Sequence, residues 1–151
     1  MLDTDVHAQL AAILAPSSLL VTAEETRPYE CDGLTLFRAQ PAAVVLPETE
    51  SQVAAILRIC HAARIPVVAR GAGTSLSGGA TPDPNGIVMS LAKFKRIVAV
   101  DPLSRTAVVQ PGVRNLAITE AAAQHALYYA PDPSSQIACT IGGNVAENAG
   151  G

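Results

Sequence analysis

The sequence has 151 residues, of which 49% are hydrophobic, 15% charged and 3% aromatic, with a formal net charge of −3. Such a length can bury roughly 68–70% of the surface its unfolded chain exposes, and the low charge with a positive mean hydropathy excludes a disordered tail. No apolar run reaches the ~18 residues a membrane span needs, and the acidic opening MLDTDVHAQL has no secretory basic region.

The basic residues Lys93, Lys95 and Arg96 are too few to track phosphates along a nucleic acid, so that class of partner is not expected. Three widely spaced cysteines, Cys31, Cys60 and Cys139, argue for reduced thiols and a cytosolic setting rather than a disulfide framework. His7, His61 and His125 have no metal-type spacing, and no metal site is expected.

Residues 4–14 carry Val6, Leu10 and Ile13 at helical spacing, with Asp3 or Thr4 as cap. Pro16-Ser17-Ser18 ends that helix, and residues 27–41 read as irregular, with a turn at Asp32-Gly33. Ala42 to Leu46 forms a short apolar strand. Thr49 and Gln52 make a capping box for the next helix, whose apolar face is Val53, Ile56, Leu57 and Cys60. Ile65 and Pro66 break the helix before a buried strand at Val67 to Ala69, so residues 42–70 read as a strand–helix–strand unit with parallel pairing.

A long Gly/Ser/Thr/Pro loop follows, then a strand at Ile87 to Leu91. Ile97–Val100 and Thr106–Gln110 form a hairpin around Asp101-Pro102. A helix at 115–125 is capped by Asn115. An extended piece then runs from Leu127 to Ala130, ahead of a proline-stiffened loop at 131–135. The fold class is α+β with a mixed sheet and flanking helices.

Three polar, small-residue segments carry the chemistry. In RGAGTSLSGG, Arg70 leads into Gly71, Ala72 and Gly73, then Thr74, Ser75 and Ser77, then Gly78 and Gly79. Glycines let backbone approach a ligand, consecutive amides can form an anion nest, and hydroxyls add donors, a chemistry suited to pyrophosphate. The motif is neither a Rossmann GxGxxG, since Leu76 stands where glycine is needed, nor a Walker loop, since it has no lysine. Taken alone it fits a surface loop equally well. The second segment presents Pro131, Asp132, Ser134 and Ser135 on a rigid loop. The third, Thr140 with Gly142, Gly143 and Asn144, again permits close backbone approach. Three such loops on one mixed sheet suggest an extended cradle.

The motifs RPYECDG (27–33), VVLPET (44–49), RGAGTSLSGG (70–79), VDP (100–102), QPGV (110–113), YAPDPSS (129–135) and TIGGNVAENAGG (140–151) resemble the FAD-linked oxidases of the vanillyl-alcohol-oxidase/PCMH superfamily. Within it the likeness is to glycolate oxidase D subunits and FAD-dependent D-lactate dehydrogenases. The resemblance implies a lead-in over residues 1–40 and a PCMH-type FAD-binding domain over 41–151. That domain would comprise a first subdomain and the start of a second, without the cap domain.

It further implies that the loop from Gly71 to Gly79 wraps the FAD pyrophosphate and that Pro111, Gly112 and Val113 border the cofactor. Segment 131–135 and Thr140 to Asn144 would pass along the ribityl chain and the isoalloxazine ring. Thr74 stands where some relatives carry a flavin-linking histidine, so noncovalent FAD is expected. The implied reaction oxidises a 2-hydroxy acid, glycolate or D-lactate, to the 2-oxo acid. The implied partners are iron–sulfur and second flavin-domain subunits at the cytoplasmic membrane face.

No residue is assigned as catalytic base. Arg70 and Arg114 are candidate anion partners whose alternative role is fixing loop geometry. Tyr29 and Asp32 have anchoring of the N-terminal segment as theirs. An inactive structural fragment and a nonredox phosphate-binding module remain open. The ending on Gly150-Gly151, in mid-motif, leads us to expect apolar surface left uncovered.

Overall fold

The computed structural model describes residues 2–151. The chain divides into two compact units, one ending at Lys93 and one running Phe94–Gly151.

The first unit opens with α1 (Thr4–Ala11), capped by Asp3, whose side chain accepts the Asp5 amide. The helix is shorter than the expected 4–14 and buries Val6 and Leu10. A 3-10 turn at Pro16–Ser18 leads into β1 (Leu19–Leu20) and a four-residue α2 (Ala23–Thr26), neither of which the apolar pattern predicts. Both are too short for periodicity to register. α2 exists through its ends: Thr22 and Glu25 form a reciprocal capping box.

Next come β2 (Ala43–Val45), α3 (Glu50–Ala63), β3 (Val67–Arg70) and β4 (Ile87–Ser90). They form a sheet of order β1-β2-β4-β3 in which β4 pairs parallel with both β2 and β3, and β1 pairs antiparallel with β2. The strand–helix–strand reading is correct, but β4 lies between its two strands. β4 and β2 are fully buried, whereas β3 is an edge strand with Ala69 exposed, not the buried strand expected.

Two details of α3 also depart from expectation. Thr49 accepts the Gln52 amide, but the Gln52 side chain turns to the Glu48 amide at 2.7 Å and to the Ile13 carbonyl at 2.9 Å, so the box is not reciprocal. Leu57 is 47% exposed, and the buried face is Ile56 and Cys60, with Val53 and Ile59 partly covered. Burial pushes the Cys60 thiol pKa up from its ordinary value. The helix ends where Arg64 adopts φ 57° and the Ile65 amide reaches the Cys60 carbonyl. Lys93 bonds the Ser18 hydroxyl at 2.7 Å and Glu48 at 2.6 Å.

In the second unit β5 (Ile97–Asp101) and β6 (Thr106–Val109) form the expected antiparallel hairpin, as a separate two-stranded sheet. Asp101 ties its turn, accepting the Ser104 hydroxyl at 2.7 Å, and that bond leads the causes holding its carboxyl pKa below the ordinary value. Leu103, Val98 and Val108 are exposed.

α4 (Asn115–Ala122) begins one residue after its cap, Arg114, which makes no side-chain capping bond. Asn115 is thus the first helical residue, and its buried amide instead donates to the Pro131 carbonyl at 3.1 Å. Residues 127–130 form no strand.

The segment read as a third loop contains α5 (Ile141–Ala146). Two helical glycines cost about 1 kcal/mol each relative to Ala, and tertiary pairing overrides that preference. The Ile141 and Gly142 amides donate to the Val113 and Pro111 carbonyls, both at 2.9 Å. Asn148, at φ 52°, closes the helix, and the Ala149 amide returns to the Asn144 carbonyl at 2.8 Å.

Replacing Ile56, at 0% exposure in the core, by alanine should lower the unfolding free energy by about 2–5 kcal/mol in denaturant titrations. A Cβ at Gly142 would stand 2.8 Å from the Pro111 Cβ and 3.0 Å from its carbonyl oxygen. Gly142→Ala should therefore destabilise the protein by about 1–3 kcal/mol despite the better helix propensity of alanine, measured in the same titration.

Candidate functional site

The glycine-rich segment follows directly from the end of the edge strand β3 and is non-helical throughout. Among the described residues, the backbone amides of Ala72, Gly73, Thr74 and Ser75 donate to no protein acceptor. Four consecutive donors without acceptors are stable at a surface only where water or a ligand takes them. The loop is nevertheless ordered by specific contacts. Gly73 has φ 73° and Gly78 φ 82°, conformations a side chain disfavours. Ser75 and Ser77 place their hydroxyls 3.1 Å apart, and the Thr81 amide closes a turn on the Gly78 carbonyl at 3.0 Å. Gly71, Thr74 and Gly78 are half-buried, whereas Ala72, Ser77 and Gly79 are exposed.

Arg70 does not extend into solvent. Its Nη1 donates to the Cys31 carbonyl at 2.7 Å, and its guanidinium lies 5.6 Å from the centroid of the Tyr29 ring. Burial pushes its pKa down, while Cys31, Tyr29 and Asp32 pull it back up, and an arginine stays cationic throughout. Asp32, only 4% exposed, receives the Leu34 amide at 3.0 Å and the Gly78 amide at 2.8 Å. The RPYECDG segment therefore backs the loop. Tyr29, Cys31 and Asp32 are the residues the anion chemistry alone passes over. The signal for them was the RPYECDG motif itself.

In the second unit the structure brings together two of the expected segments. Residues 111–114 run beside 137–142: Arg114 and Thr140 form an antiparallel bridge, and the Asn115 amide donates to the Cys139 carbonyl at 3.0 Å. The Arg114 guanidinium donates to the Ile137 carbonyl at 3.3 Å, a loop-fixing role. Gly112 and Val113 are buried and Pro111 is half-buried. Asn115 ties Pro131 to the same cluster. Asp132 and Ser134 are exposed, and the Ser135 carbonyl accepts the Ala138 and Cys139 amides. The cradle expected on one sheet is thus divided: the 70–79 loop belongs to the four-stranded sheet's unit, and the other segments belong to the hairpin's unit.

The glycine pair at 142–143 also divides. Gly142 is required by Pro111, whereas a Cβ at Gly143 would meet only the Thr140 Oγ1 at 3.4 Å. Thr140 Oγ1 and Asn144 Nδ2 are buried and make no hydrogen bond among the described residues. Each such group costs about 1–3 kcal/mol when left unmade.

These features fit FAD. The run of unbonded backbone amides, with hydroxyl groups on the same loop, suits a pyrophosphate. Buried donors at Thr140 and Asn144 beside the unobstructed Gly143 suit a flat ring edged with hydrogen-bond acceptors.

The model of the FAD binding domain matches residues 41–151. The chain is 63% identical over 133 residues to the glycolate oxidase subunit GlcD of Escherichia coli (strain K12), covering 88% of this chain and 27% of that protein. It is 37% identical over 151 residues to the GlcD of Bacillus subtilis (strain 168), covering 100% and 32%. A D-lactate dehydrogenase of Anaerostipes hadrus is 35% identical over 139 residues, covering 91% and 29%. The chain therefore spans about a third or less of the length of these relatives.

Among solved structures, an alkyldihydroxyacetonephosphate synthase superposes with TM-score 0.86 at 18% identity, over 97% of this chain and 32% of that one, a likeness of fold alone. p-Cresol methylhydroxylase superposes with TM-score 0.73 at 25% identity, over 84% of this chain and 26% of that one. The resemblance carried by the seven motifs is thus confirmed, and this chain belongs to the FAD-binding domain family, with FAD as its cofactor.

Proposed function

We propose that the chain is the FAD-binding part of an oxidoreductase that converts a small 2-hydroxy acid, glycolate or D-lactate, to the 2-oxo acid. The observation that carries this reading is the run of unbonded amides at Ala72–Ser75 on a loop held from behind, in a chain 63% identical to a glycolate oxidase subunit. The loop amides, with the Thr74 and Ser75 hydroxyls, receive the pyrophosphate oxygens. Fixed amide dipoles are well suited to two negative phosphates because they need little reorganisation on binding.

In the second unit, Pro111, Gly112 and Val113 form a backbone support, and Gly143 allows a planar ring to approach. Thr140 and Asn144 offer their unmet hydrogen-bonding groups to its polar edge. Asp132, Ser134 and Ser135 present oxygens and hydroxyls to the polyhydroxyl chain. Bound FAD supplies a two-electron acceptor. The protein's part in this region is to hold that acceptor and orient it.

FAD is held without a covalent bond, since Thr74 offers a hydroxyl where a histidyl link needs an imidazole. The relatives named as subunits support a multisubunit enzyme, with iron–sulfur and second flavin-domain subunits as the partners the family resemblance suggests. No helix among the described residues is long and apolar enough to cross a membrane. We place the enzyme in the cytoplasm, at the inner membrane face through its partners. The domain boundary is placed at residue 41, with residues 1–40 as a lead-in.

The purified intact protein should be yellow, should reduce a dye with glycolate or D-lactate, and should release all its flavin through a filter after denaturation. Flavin retained with the denatured chain overturns the noncovalent assignment. Absence of any FAD binding overturns the enzyme reading, and binding of another phosphate compound in its place favours a nonredox module. Gly143→Ala separates stability from binding. It should leave the melting temperature unchanged or raised, because alanine favours the helix by up to about 1 kcal/mol. The same change should weaken FAD in a fluorescence titration.

A further inference from the structure

We propose that Asp32 and Arg70 are positioning residues that hold the 71–79 loop in its anion-receiving shape before the cofactor arrives, an inference that rests on the FAD reading above. Only two residues of this loop adopt positive φ, Gly73 and Gly78, and they set the direction of the chain on either side of the unbonded amides. Each is met by one of these charged side chains, Gly78 through a hydrogen bond and Gly73 through close packing. The Gly78 amide donates to Asp32 Oδ2 at 2.8 Å, across 46 residues of sequence. The Arg70 guanidinium lies directly against Gly73, so that a Cβ there would fall 2.1 Å from Nη2.

Both side chains are in turn fixed by the segment behind the loop. Asp32 Oδ1 accepts the Leu34 amide, and Arg70 donates to the Cys31 carbonyl and faces Tyr29. Gly33 closes the contact, since a Cβ there would stand 3.1 Å from the Thr74 and Ser75 carbonyl oxygens. A buried carboxylate is costly unless its oxygens are bonded. Here both are bonded to backbone amides. Asp32 therefore spends its charge on the loop's own backbone and leaves the amides of Ala72–Ser75 to an anion.

Asparagine at position 32 has one acceptor oxygen and can serve Leu34 or Gly78, but not both. Lysine at position 70 keeps the charge but loses the planar fork that reaches Cys31 and stacks on Tyr29. The test uses the intact protein stripped of FAD, with Asp32→Asn, Arg70→Lys and a control, Glu30→Gln. The control breaks the Glu30–Arg38 ion pair of the same segment. Amide hydrogen exchange over residues 71–79 and FAD dissociation constants are measured well below the melting temperature.

The expected result for Asp32→Asn is about tenfold faster exchange at Gly78 and about tenfold weaker FAD, the scale of one charge-assisted hydrogen bond. Arg70→Lys should move both readouts in the same direction, and the control should move neither. A merely structural role would lower the melting temperature without changing affinity in the folded protein. Parent-like exchange at Gly78 in Asp32→Asn overturns the positioning role. So does loosened exchange with unchanged FAD affinity. If Asp32→Asn does not fold, Arg70→Lys carries the same decision. Failure of the parent itself to bind FAD is a separate result, which overturns the functional reading and this proposal with it.

Discussion

The hydrogen bond from the Gly78 amide to the buried Asp32 carboxylate is the constraint on which the candidate site depends. A run of amides can await an anion only if it does not satisfy itself, and a glycine-rich chain left alone has too much conformational freedom to stay open. Helix or strand formation would order the loop but would consume its amides. Anchoring it from behind by side chains orders it and leaves them available. The RPYECDG segment, which has no regular structure beyond a short 3-10 turn, supplies that anchor.

The second unit solves a related problem with backbone instead of charge. Residues 111–113 accept the first amides of α5, and Gly142 packs directly on Pro111. The helix is thereby forced onto a glycine-containing sequence that would not hold it in isolation. One glycine of the pair serves the protein's own packing. The other is left without a close backbone neighbour, beside two buried polar groups that lack partners within the chain. Adjacent identical residues thus have different physical reasons to be glycine.

The parts of the fold legible in the sequence were those whose signal is local and repeated. The α3 pattern, the β-branched runs of β2 and β4 and the turn chemistry at Asp101-Pro102 each report several residues in agreement. The departures occur where one tertiary contact outweighs local preference. Gln52 leaves its own capping box for Glu48 and Ile13. Asn115, a good cap by type, is drawn inward to Pro131. Leu57 fits the apolar face by spacing yet is left largely exposed, outside the buried cluster.

The sequence by itself determined the α+β class, the strand–helix–strand unit, the hairpin and the family, because periodicity, turn residues and seven ordered motifs all lie along the chain. Only the tertiary structure decided that β4 separates β2 from β3, that residues 141–146 are helical, and that the segments expected on one sheet belong to two units. It alone also decided that Arg70 and Asp32 face the loop's own backbone. The reason is physical: each of these depends on a partner many residues away, and a residue's type records which bonds it can make but not which partner folding brings to it.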